Sequence, residues 1–223
     1  MEEMNPLDAL MLKTLDISDA RPIVLQQKPE IVAVSLSSVT IGANTFPLSG
    51  IESILWRAST TGIDFKTSYG GMHLFNSQKS VQELQVFVGG RWHELVGRRK
   101  FSFHLGAFGP LSLDVKAAQM RNEAVYEHLR TATWKRRIAR YEEQLRANGA
   151  CKYGEVELAI DGSVKKGNQV IFPTKIVRER ERPWVLLLKG DGLLESAHVD
   201  VSIDGDVFAE IFERARSGAY PCA

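Results

Sequence analysis

The chain has 223 residues, 44% hydrophobic and 25% charged, with 28 basic against 27 acidic side chains and a formal net charge of +1. Such a balance excludes a whole-molecule electrostatic pull toward nucleic acid or anionic lipid, and two cysteines, Cys151 and Cys222, exclude a disulfide framework. The acidic start Met1-Glu2-Glu3 is unlike an export signal, so a cytoplasmic protein without a transmembrane segment is expected.

Residues 1–30 read as an N-terminal helix and connector, with Asn5 as N-cap, Pro6 in the first turn, and Pro22 and Pro29 bracketing an irregular stretch. Residues 31–113 form a β-rich first half. Residues 31–51 carry no charge, but their Ser, Thr and Gly content suits buried strands better than a membrane span. Gly89-Gly90, between Val86-Phe87-Val88 and Arg91-Trp92-His93-Glu94-Leu95, predicts a hairpin, because a two-residue primed turn needs positive φ. The alternation of Phe101, Phe103 and Leu105 predicts a further strand.

Residues 114–148 form a charged helical segment: Asp114 can cap it, and Val125, Leu129, Ile138, Tyr141 and Leu145 recur at helical spacing. Thr131-Ala132-Thr133 leaves open whether this is one helix or two. Residues 149–223 form a second β-rich half, closed by a helix capped by Asp206 with Phe208, Ile211, Phe212 and Ala215 on one face.

One short motif occurs in both β-rich halves. Ser38-Val39-Thr40-Ile41-Gly42, followed by Phe46-Pro47 and Ile51, returns as Ser163-Val164-Lys165-Lys166-Gly167, followed by Phe172-Pro173 and Ile176. In each copy Gly ends one extended run and Pro interrupts ladder pairing in the next, a meander signature. Read with the final amphipathic helix, these strands resemble pleckstrin-homology-like (PH-like) domains, including small bacterial members with a "G-x-x-x-[FY]-P-x-x-x-I" corner. The resemblance implies an α+β, mostly antiparallel fold: one split or two consecutive PH-like barrels, a charged helical segment between the β-rich halves, and a C-terminal capping helix.

No nucleophile elbow, phosphate loop, zinc-protease or dinucleotide motif is present, so neither a catalytic residue nor a cofactor or metal ligand is assigned. The ligand-binding candidates are basic. Lys135, Arg136, Arg137 and Arg140, beside Trp134, could meet phosphate on the helix, against the plainer reading of a solvated charged face. Arg178, Arg180 and Arg182 would share one face of an extended strand, or protect an exposed edge. The expected role is a non-catalytic protein-interaction or scaffolding module with a protein partner. Phosphate, phospholipid headgroups or RNA are alternative ligands, and an enzyme of unrecognised type is a further alternative.

Overall fold

Runs of β-branched and aromatic residues, punctuated by Gly, Asn and Pro, set out a strand-rich chain, with two α-helices among the described residues. The computed structural model describes residues 17–26, 30–65, 75–105, 111–178, 184–190 and 196–220. In chain order these form β1 (Ile23–Gln26), β2 (Val32–Val34), β3 (Ser38–Ile41), β4 (Asn44–Pro47), β5 (Ser53–Phe65), β6 (Phe75–Val88), β7 (Arg91–Leu105) and α1 (Leu111–Asn148). Then follow β8 (Ala150–Tyr153), β9 (Val156–Ala159), β10 (Val164–Lys166), β11 (Gln169–Ile171), β12 (Lys175–Arg178), β13 (Val185–Lys189), β14 (Ser196–Asp200) and α2 (Gly205–Arg216).

Among the described residues the fold is α+β with four antiparallel sheets, in the orders β1-β2-β3-β4, β5-β6-β7, β8-β9-β10-β11 and β12-β13-β14. Every neighbour in a sheet is a neighbour in sequence, as in meanders. The same order therefore occurs twice along the chain: a four-stranded sheet, a three-stranded sheet, then a helix. Among the described residues no ladder joins these sheets into a closed barrel.

The hairpin at Gly89-Gly90 forms as expected, with φ of 61° and 78° and Val88 opposite Arg91. The repeated motif makes the same hairpin twice. Gly42 and Gly167 both have φ of 59° and join the third and fourth strands of their respective four-stranded sheets. Two short strands depart from the expected pattern. β1 lies where an irregular connector was expected; Pro22 precedes its first residue, where a missing N–H breaks no ladder bond, and Ile23-Val24 favour extension. β8 also forms, paired along its length with β9. β12 forms where Ile176 of the second motif copy is expected to open a strand, and pairs along its length with β13. The proposed helix over residues 5–15 lies outside the described residues.

Helix α1 is a single helix through Thr131–Thr133. That same stretch contains the division between two compact units, residues 1–51 with 59–132 and residues 52–58 with 133–223. In the first unit, Asn122 donates from Nδ2 to Gln82 Oε1 on β6 at 2.8 Å, and the His128 ring lies 3.1 Å from the Ser35 carbonyl oxygen. The Asp19 carboxylate accepts bonds from the Ser37 hydroxyl at 2.7 Å and the Ser35 hydroxyl at 2.8 Å; these hold its pKa below the ordinary carboxylate value.

His93 on β7 is buried, its ring 5.0 Å from that of Phe46, and its Nε2 accepts a bond from Arg91 Nε at 3.2 Å. Burial, followed by the charge of Arg91, holds its pKa below the ordinary value. On acidification the unfolded chain takes up this proton first, so stability is complete above about pH 6.5 and falls as pH drops below it. Thermal melts between about pH 7 and about pH 5 are expected to show a shallower loss for His93→Leu than for the parent chain.

In the second unit α2 buries Phe208, Ile211, Phe212 and Ala215, the apolar face expected from their spacing, and Val207 beside them. Tyr141 from α1 stacks on Tyr153 with centroids 4.2 Å apart, and Tyr153 meets Phe208 edge-on at 5.0 Å. Each fully buried side chain of this size stabilises the fold by about 1.5–3 kcal/mol. Cys151 lies in the same core, where burial pushes its thiol up to about 12 and leaves it a packing group.

Candidate functional site

The basic run on α1 separates by helical phase. Lys135 and Arg136 are exposed, Trp134 packs partly against the core of the second unit, and Arg137 is turned fully inward. Arg137 donates from Nε to the Thr133 hydroxyl at 3.0 Å and from Nη1 to Asp204 Oδ1 at 2.9 Å. It also grips Asp206 bidentately, at 2.9 and 2.7 Å. Arg140, one turn on, is half-buried and reaches Asp204 Oδ2 at 3.1 Å and the Ser53 hydroxyl at 3.0 Å.

Asp204 is the hub of this cluster. Its Oδ1 also accepts the Ile54 N–H at 2.9 Å, and its Oδ2 also accepts the Tyr141 hydroxyl at 2.9 Å, so both oxygens are doubly bonded to donors. Asp204 is left-handed, with φ of 49°, a conformation that Asp tolerates better than most side chains. The following position is close-packed, and a Cβ on Gly205 would meet Val201 Cβ at 3.0 Å, so any larger residue would need Val201 to shift. Asp204 rather than Asp206 therefore occupies the N-cap of α2, and Asp206 lies in the first turn, where the helix dipole and Arg137 both favour its carboxylate.

Burial opposes the Arg137 charge, but bonds and charge from Asp206, with Asp204, prevail and hold its pKa above the ordinary value. Burial, followed by the charge of Asp204, keeps the Tyr141 hydroxyl protonated far beyond its usual range. A guanidinium and a carboxylate whose side chains are each 0% exposed, with their bonding groups turned on one another, form a fastener between helix, strand and turn. Of the proposed ligand-binding residues, the structure brings Arg137 and Arg140 together on Asp204 and leaves Lys135 and Arg136 at the surface. Arg178 closes β12 opposite Leu186, while Arg180 and Arg182 lie outside the described residues.

A cleft of about 350 Å³ opens elsewhere in the second unit, floored by Val156, Val185 and Val199 and rimmed by charged groups. Arg57 reaches Asp200 at 3.5 Å, and Lys166 lies 3.7 Å from Glu155 while donating to the His198 carbonyl oxygen at 2.6 Å. Its rim thus pairs acid with base. Among the described residues no group of His, Cys, Asp or Glu side chains gathers as a metal site, and no helix is long and apolar enough to cross a membrane.

The repeated motif supplies a surface that the basic residues do not. In the first copy Phe46 stands opposite Val39; in the second, Ile171 stands opposite Val164. Ile171 therefore occupies the place of Phe46, and Phe172 falls one residue later. Sequence spacing carries this difference: Phe is the fourth residue after Gly42 but the fifth after Gly167. A one-residue shift moves a strand side chain to the opposite face. Ile171 is accordingly 1% exposed, whereas Phe172 is 60% exposed and Val170, on the same face, is 52% exposed.

Among the described residues β11 is also an edge of its sheet. The pair Lys166 and Gln169 flanks the two-residue Gly167-Asn168 turn and takes the hydrogen-bonded position of the hairpin. Alternation then directs the backbone N–H and C=O of Val170 away from β10, toward the open edge. Phe172-Pro173, expected as a strand corner like Phe46-Pro47, thus differs from the first copy, and the unequal Gly-to-Phe distances are the sequence signal that distinguishes them.

No protein-family model, curated protein or solved structure matches the chain.

Proposed function

We propose that this chain is a non-catalytic protein-interaction module built as two consecutive PH-like units, with β11 of the second as a contact surface. Support for the PH-like reading comes from the recurrence of antiparallel sheets followed by a helix in each half of the chain. The observation that carries the functional reading is the outward pair formed by Val170 on the edge strand β11 and Phe172 just beyond its end, exposed apolar side chains where proteins more often place charge. The densest polar cluster favours a fastener over a phosphate site, because Arg137 gives its donors to Thr133, Asp204 and Asp206.

A photoreactive benzophenone side chain at position 172, introduced in the cells that make this protein, is expected to give discrete cross-linked adducts. The same group at position 135, on the exposed basic face of α1, is expected to give none. Adducts at 135 with none at 172 would overturn this reading in favour of the basic helix.

A further inference from the structure

Beyond the two apolar side chains, two like charges meet in the strands that follow β11. Lys175, three residues after Phe172, stands directly opposite Lys189 across β12 and β13, and both are exposed. Like charges in directly opposed cross-strand positions destabilise a sheet. Among the described residues neither lysine is in an ion pair. The Thr174 N–H donates to the Lys189 carbonyl oxygen at 2.8 Å, which ties the segment between Phe172 and Lys175 to β13. Three residues of extended chain span at most about 10–11 Å, so the lysine pair lies within reach of a strand laid along β11.

Resting on the reading of β11 as an interaction surface, we propose that its partner is an extended acidic segment that adds as a strand to this edge. Three features of that segment follow. Its backbone pairs with the outward N–H and C=O of Val170. Its apolar side chains, alternate along the strand, cover Val170 and Phe172. A carboxylate at its end settles between Lys175 and Lys189, relieving their repulsion.

A fluorescein-labelled Glu-Glu-Val-Thr-Val-Glu-Glu peptide tests this, because its acidic ends serve either strand direction. Titration with the full chain is expected to give a saturable rise in anisotropy, and the affinity should fall at least about tenfold with Phe172→Ser. Val170→Pro should weaken binding comparably, since Pro removes an outward N–H that the hairpin does not use. The double variant Lys175→Glu, Lys189→Glu should do the same, and melting curves matching the parent's will show that each variant is folded.

A Lys-Lys-Val-Thr-Val-Lys-Lys peptide is expected not to bind. If it binds as well as the acidic one and both need Phe172, the acidic partner is wrong while the β11 surface stands. If the lysine peptide alone binds, through Phe172, only the partner is wrong; if neither peptide binds, or the acidic one binds regardless of Phe172→Ser and Val170→Pro, both the partner and the surface are wrong. A dimer in sedimentation that Val170→Pro abolishes would overturn the proposal in favour of a second copy of this chain.

Discussion

Replacement of Arg137 by Leu is expected to destabilise the second unit by about 3–5 kcal/mol, measured by denaturant titration of the full chain. Leu conserves much of the side chain's apolar bulk but leaves the buried carboxylate of Asp204 with a missing partner and frees Asp206 from its bidentate bond. The cost comes from that stranded charge more than from the attraction lost, since an intact buried pair only partly offsets its own desolvation. Against a total stability of roughly 5–15 kcal/mol for a domain, such a loss populates the unfolded second unit. A variant within about 0.5 kcal/mol of the parent would show that the cluster is not a fastener.

Asp204→Ala is expected to cost as much, again about 3–5 kcal/mol, for two separable reasons. It removes the acceptor of four donors, from Ile54, Arg137, Arg140 and Tyr141, and it places Ala in a left-handed conformation. Asp204→Asn separates them, because Asn tolerates that backbone and keeps one acceptor oxygen; about half the loss is expected, on the order of 2 kcal/mol. The double variant Arg137→Leu, Asp204→Asn should fall short of the summed single losses by about 1–3 kcal/mol, the mark of two groups that share one interaction.

Elements with strong local chemistry were legible in the sequence. The Gly89-Gly90 hairpin needs only its own turn residues, and the face of α2 needs only the spacing of Phe208, Ile211, Phe212 and Ala215. The motif repeat was legible as a pair of strand corners, and both copies occupy the same hairpin of their sheets. β1, with four residues after Pro22, carries too short a pattern to announce itself; its extended state is decided by antiparallel pairing with β2.

Arg137 was less legible for a different reason. Lys135-Arg136-Arg137 reads locally as solvated charge, and the acids that draw Arg137 inward are 67 and 69 residues away. No local window holds both. Phe172 lies between these cases, since its exposure was encoded in a spacing difference of one residue between the motif copies and needed only the pairing register to become visible.

The central claim, that β11 is the surface through which this chain engages a partner, is tested most directly by residue-resolved amide exchange with and without the acidic heptapeptide. Binding is expected to slow exchange at Val170 and leave the Lys135–Arg140 turns of α1 unchanged. Protection at Lys135–Arg140 with none at Val170 would contradict it.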